Sequence, residues 1–192
     1  MEAGYSFTVL PAEGAEEESP RFSTEPDALV IRNSYRKAKW VADRLMADKE
    51  ALDALQADFP GSRLLVLGCD TIAYLPSADS SKGVEILGKP IDREDARRML
   101  TALSGSDHAV VSGVTLIDPF TGTERTASDL TTLVMDRLTD EMIESYLDSG
   151  AWRGKAGAFG YQDGNRWLHK KSGSESNIVG LPLELLARLL AE

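Results

Sequence analysis

The run Leu64-Leu65-Val66-Leu67-Gly68-Cys69 is apolar or small at every position and ends on a carboxylate, Asp70. A segment with no polar face must be covered on both sides, so it reads as an inner strand of a sheet with helices packed on it. In open α/β sheets, ligands settle in the crevice beyond the carboxyl ends of such strands, which puts Asp70 at the mouth of one. A carboxylate there can bind a divalent cation or take a proton from water; it can equally cap the next turn.

The flanking patterns supply the rest of such a fold. Tyr5–Leu10 alternates with a period of two, as a strand does, and an acidic stretch from Glu13 to Glu18 follows as a surface loop. Thr24-Glu25-Pro26-Asp27 opens a helix carrying Val30, Ile31, Tyr35, Ala38, Ala42 and Leu45, which continues or restarts through Leu52 and Leu55 to Phe59-Pro60-Gly61. Pro76–Gly83 is a polar loop. Asp92 starts a helix with Ala96, Met99, Leu100 and Leu103 inward. His108–Ile117 reads as a long strand, Asp118-Pro119-Phe120-Thr121-Gly122 as a turn into a second, and Leu130–Leu138 as a further strand; Thr139–Gly150 reads as a capped helix and Leu183–Leu190 as a leucine stripe that docks on a core. The expected class is α/β, a mixed, twisted sheet flanked by helices.

Composition narrows the function. Hydrophobic residues are 42% and charged residues 27% of 192, which suits one folded domain over residues 1–192. No apolar run approaches the roughly 20 residues that span a bilayer. Met1–Tyr5 lacks the basic and apolar regions of a signal peptide, and Cys69 has no second cysteine to pair with. A cytoplasmic setting is expected. The net charge of -10 disfavours nucleic acid polymers and anionic membranes as partners. An anionic substrate would therefore have to be gripped by a few placed cations and a metal ion.

Single residues say little on their own. Lys89, in Gly88-Lys89-Pro90, could neutralise phosphate or be a turn lysine; Lys37 sits in a helical basic run; Glu16 is one glutamate of several. His108 faces a strand partner or solvent, and Cys69 belongs to the core. There is no Gly-x-x-x-x-Gly-Lys-Ser/Thr loop, no Gly-x-Gly-x-x-Gly fingerprint, no His-Glu-x-x-His and no Gly-x-Ser-x-Gly elbow.

Taken in order, however, the motifs resemble one family. Gly68-Cys69-Asp70-Thr71, Ile86-Leu87-Gly88-Lys89-Pro90, Leu103-Ser104-Gly105 with His108, Ser112-Gly113-Val114, Lys155 to Gln162, and Gly173-Ser174 with Asn177 and Val179-Gly180-Leu181-Pro182 are similar to the motifs of the Maf (septum-formation inhibitor) family. The resemblance implies a Maf/inosine-triphosphatase-like fold with a central cleft. It implies hydrolysis of nucleoside triphosphates to a monophosphate and pyrophosphate with a divalent cation, Mg or Mn. It makes Asp70 the proton acceptor or a metal ligand, with Glu16 beside it on the metal, and makes Glu16, Lys37 and Lys89 substrate-binding residues; the ungapped match falls on Glu16, with Glu17 the adjacent alternative in the same acidic loop. Thr71 and Gln162 match the branch that prefers dTTP and UTP. A homodimer is expected of the family.

Two departures stand out. The family's opening strand and Ser-x-Ser-Pro-Arg-Arg loop have no counterpart, and Met1–Gly4 resembles the tail of the helix that follows that loop; Ser19-Pro20-Arg21 lies on the wrong side to replace it. The chain is thus expected to be a shortened member, with a catalytically impaired nucleotide-binding or regulatory protein as the alternative. Asn33-Ser34 also replaces an apolar pair before the Lys-Ala motif.

Overall fold

The apolar run leads into the second strand of a six-stranded sheet in the computed structural model, which describes residues 4–192. The strands are β1 (Phe22–Ser23), β2 (Val66–Pro76), β3 (Val84–Leu87), β4 (Asp107–Ile117), β5 (Glu124–Met135) and β6 (Leu168–Ser172), side by side in the order β1-β3-β2-β4-β5-β6. The helices are α1 (Pro26–Ala47), α2 (Lys49–Asp58), α3 (Arg93–Leu103), α4 (Asp140–Ser149), α5 (Glu175–Val179) and α6 (Leu183–Ala191). The helix-flanked sheet is as expected. Its pairings among the described residues are all antiparallel, not mixed. The β2–β3 and β4–β5 links are too short for a parallel crossover and can only turn the chain back.

Helix α1 forms where Pro26 presets the first turn and apolar or small residues recur every three or four positions: Leu29, Val30, Asn33, Ser34, Ala38, Ala42 and Leu45 are buried. Two glycines let it lie directly on the sheet. A Cβ at Gly68 of β2 would sit 2.2 Å from the Ser34 carbonyl oxygen, and one at Gly113 of β4 would sit 2.3 Å from that of Val30. Period two then assigns the faces. Val66, Gly68, Asp70 and Ile72 lie under α1, with Val111 and Ile117 of β4. Ala73, Val110, Val114 and Leu116 face the other way, against α3, α6 and the turn Ala156–Ala158.

The structure corrects several sequence expectations. Tyr5–Leu10 is not a strand: it pairs with none of the described residues, and Phe7 and Val9 are 78% and 74% exposed. Alternation selects a face only where a neighbouring strand and a core exist to meet it. Strand β2 runs on to Pro76, so Asp70 is mid-strand and not at a carboxyl end. The crevice rule invoked for it applies to parallel sheets, and this sheet is antiparallel. The turn at Asp118–Gly122 leads into a strand as expected, but that strand, β5, runs unbroken from Glu124 to Met135, so Leu130–Leu138 is not a further strand: its first part continues β5 and its last three residues lie beyond it. The similarity of Met1–Gly4 to a helix tail falls mostly on residues 1–3, outside the described residues. No helix among the described residues is long and apolar enough to cross a membrane.

His108 is neither exposed nor paired across the ladder by its ring. It is 4% exposed, edge-on to Phe159 at 5.4 Å, and its Nε2 has no hydrogen-bond partner among the described residues. Burial disfavours its charged form and holds its pKa down at about 4, against an ordinary 6.5. Between those values the unfolded chain binds a proton that the folded chain refuses. The neutral ring's contribution is therefore full above pH 6.5 and is lost as pH falls toward 4, on the order of 3 kcal/mol. His108→Leu should flatten stability across this window while changing it little at pH 7. Urea titrations at several pH values test this; parallel curves for the two proteins would contradict it.

Candidate active site

Asn33 and Lys37 are four residues apart on α1 and so share a face. The close approach at Gly68 brings that face onto Asp70, two residues further along β2. Lys37 Nζ donates to Asp70 Oδ1 at 2.6 Å, and Asn33 Nδ2 donates to Oδ2 at 2.9 Å. Lys37 also donates to the Cys69 carbonyl at 3.3 Å and pairs with Glu17 Oε1 at 3.2 Å. One ammonium is thus shared by two carboxylates.

Asp70 is 8% exposed. A buried carboxylate is costly unless paired, and here each oxygen has one donor and keeps a further lone pair. Burial works against the charge on Lys37, but the hydrogen bond and charge of Asp70, with the charge of Glu17, outweigh it and raise its pKa. Lys37 therefore stays cationic through the neutral range. The Cys69 thiol donates to the Gly180 carbonyl at 3.0 Å, and burial pushes it up to about 11, which makes it a packing group and not a nucleophile.

The acidic stretch reaches this cluster one residue later than the motif register suggests. Glu16 is exposed and makes no ion pair among the described residues, whereas Glu17 meets Lys37. Glu18 follows with its main chain bonded to Asn33 and its carboxylate spanning Arg32 and Arg36, at 3.0 and 2.8 Å. The difference has a plain cause: in Glu16-Glu17-Glu18 composition cannot tell one carboxylate from the next, and the anchoring of Glu18 sets which of them meets Lys37.

Lys89 enters from the neighbouring strand. Strand β3 ends with Leu87 opposite Ala73, so Gly88-Lys89 leaves the sheet alongside the part of β2 that carries Thr71 and Asp70. Among the described residues, β2 pairs with β4 alone from Val66 to Ile72, which leaves a notch in the sheet at this level. Gly157 N–H donates to the Gly88 carbonyl at 3.1 Å and ties the turn down, while Lys89 itself is exposed with no ion pair among the described residues.

Thr71 and Gln162 are not brought against Asp70. Adjacent strand residues point to opposite faces, and the Thr71 hydroxyl bonds Ser112 at 2.7 Å and the Gly180 carbonyl at 3.2 Å, away from α1. Gln162 is exposed on the turn Tyr161–Asp163. The residue sequence reasoning missed is Asn33. Its signal was a polar side chain at an apolar position of the helix, four residues before Lys37. A recess of about 270 Å³ lined by Leu10, Trp40 and Arg44 lies further along α1 and contains none of these residues.

The model of the family described as Maf-like protein matches residues 1–192. Among curated proteins, the chain is 42% identical to the dTTP/UTP pyrophosphatase of Rhodopirellula baltica over 191 residues, covering 98% of this chain and 73% of that one. It is 34% identical to the dTTP/UTP pyrophosphatase of Bdellovibrio bacteriovorus, covering 100% and 90%. It is 39% identical to that of Agathobacter rectalis, covering 98% and 86%.

Proposed function

The chain belongs to the Maf family, and from that premise we propose that it hydrolyses nucleoside triphosphates, dTTP and UTP foremost, to the monophosphate and pyrophosphate. The observation that carries this reading is the buried Asp70 carboxylate bonded to Lys37, with Glu17 on the same ammonium. A triphosphate brings several negative charges. Lys37, kept protonated, and Lys89, at the end of β3, offset them beside the notch.

Asp70 accepts the proton of a water that attacks the α-phosphorus. The bond from that phosphorus to the bridging oxygen breaks, and pyrophosphate leaves with the electron pair. The free lone pairs of the Asp70 oxygens permit this without release of Asn33 or Lys37. The donor set also fits a divalent cation. Asp70 and Glu17 already share one cationic centre, and magnesium commonly takes one or two carboxylates with phosphate oxygens. Held beside Lys37 by the remaining lone pairs of Asp70 and Glu17, the cation would supply charge neutralisation for the phosphates. Gln162 presents an amide able to pair with a pyrimidine edge, and Thr71 contributes through Ser112 and Gly180 from the far face of β2.

A pyrophosphate-release screen with magnesium, with and without excess chelator, tests the reading. Higher kcat/KM on dTTP or UTP than on 7-methyl-GTP, with activity lost in chelator, is expected. Equal or better use of 7-methyl-GTP would overturn the base preference. Full activity in chelator would remove the metal.

A further inference from the structure

We propose that Asn33 is a positioning residue that fastens the acidic segment to the Asp70 carboxylate and fixes the orientation of both for the reaction proposed above, on which this inference rests. Asn33 is 2% exposed, and both N–H groups and the oxygen of its amide are engaged. Nδ2 donates to Asp70 Oδ2 and to the Glu18 carbonyl, both at 2.9 Å, and Oδ1 accepts from the Glu18 N–H at 2.9 Å. An amide offers two N–H donors and one oxygen acceptor, and all three are used. Because the ionised Asp70 carboxylate can only accept, the amide has a single workable orientation.

Two consequences follow from that geometry. Asp70 is held at both oxygens from one turn of α1, by Lys37 at Oδ1 and Asn33 at Oδ2, so its carboxylate cannot swing about its Cβ–Cγ bond. The paired bonds between Asn33 and the Glu18 main chain resemble a short piece of strand pairing, and they set the register of residues 16–18. That register points Glu17 at Lys37 and stretches the Glu18 carboxylate between Arg32 and Arg36. An apolar side chain at position 33 would leave Asp70 Oδ2 and both main-chain groups of Glu18 without partners.

The experiment uses the full chain with Asn33→Leu and Asn33→Asp, the second keeping the shape while placing an acceptor where the donor stands. Three quantities are read: amide exchange at Glu18, thermal midpoint, and kcat and KM on dTTP. In the wild type the Glu18 amide should exchange at least ten times more slowly than that of Glu16. In folded Asn33→Leu the protection should disappear, whereas Asn33→Asp keeps an oxygen for the Glu18 N–H and loses only the donor to Asp70 and the Glu18 carbonyl; in either folded variant kcat should fall at least tenfold, with KM within threefold. An unprotected Glu18 amide in the wild type overturns the proposal whether or not the variants fold. Retained protection in folded Asn33→Leu, a kcat within twofold of wild type in either variant, or a change confined to KM also overturns it. Absence of pyrophosphate release from the wild type would strike the proposed function instead, and the exchange result would then decide alone whether Asn33 holds the segment.

Discussion

Asp70→Asn should lower kcat/KM for pyrophosphate release from dTTP by at least about 100-fold, the usual consequence of losing a general base. The substitution keeps the shape of the side chain and removes its charge and basicity. Lys37 would retain Glu17 and the Cys69 carbonyl as partners, so the helix need not leave the sheet. The expected signature is a loss mainly in kcat, with secondary structure unchanged. Rates near wild type in a folded Asp70→Asn protein would take Asp70 out of the mechanism, whatever its burial.

The second large effect is structural and reaches the site through the fold. Gly68→Ala places a methyl group 2.2 Å from the Ser34 carbonyl oxygen and 2.8 Å from the Ala38 nitrogen. These are helix backbone atoms with no rotamer to escape into, so α1 as a whole must rise off β2. Such overpacking should cost about 3 kcal/mol or more, at the top of the usual range. For a chain of this size that is roughly 6–12 °C in thermal midpoint. The same shift carries Asn33 and Lys37 away from Asp70, so kcat should fall along with stability. A midpoint within about 2 °C of wild type would show that α1 does not lie on Gly68 as described.

What the sequence made legible follows from how local each signal was. Helix α3 could be read because Asp92 caps it and Ala96, Met99, Leu100 and Leu103 give an unbroken stripe; all four are buried. Strand β4 could be read because burial on both faces left it apolar along most of its length. Strand β6 could not, because Leu168-His169-Lys170-Lys171-Ser172 is an edge strand whose side chains are exposed after Leu168. Its strand character resides in main-chain bonds to β5, which composition does not record. Tyr5–Leu10 failed in the opposite sense, with a strand pattern and no partner. At the site, Asp70 stood out as a lone carboxylate after an apolar run, although its place within the strand was misjudged. Glu17 was hidden among identical neighbours. Asn33 was visible only as an anomaly, since its value lies in reaching Asp70, 37 residues away in the chain.

The central claim is that the cluster around Asp70 directs water to the α-phosphorus of a nucleoside triphosphate. Turnover of dTTP in ¹⁸O-labelled water, with mass spectrometry of both products, tests it most directly. Attack at the α-phosphorus must leave the label in dTMP and none in pyrophosphate, since the bond that breaks lies on the leaving side of that atom. Label in pyrophosphate would mean attack at the β-phosphorus, and release of labelled orthophosphate would mean attack at the γ-phosphorus. Either result would contradict the chemistry assigned to Asp70, Lys37 and Glu17.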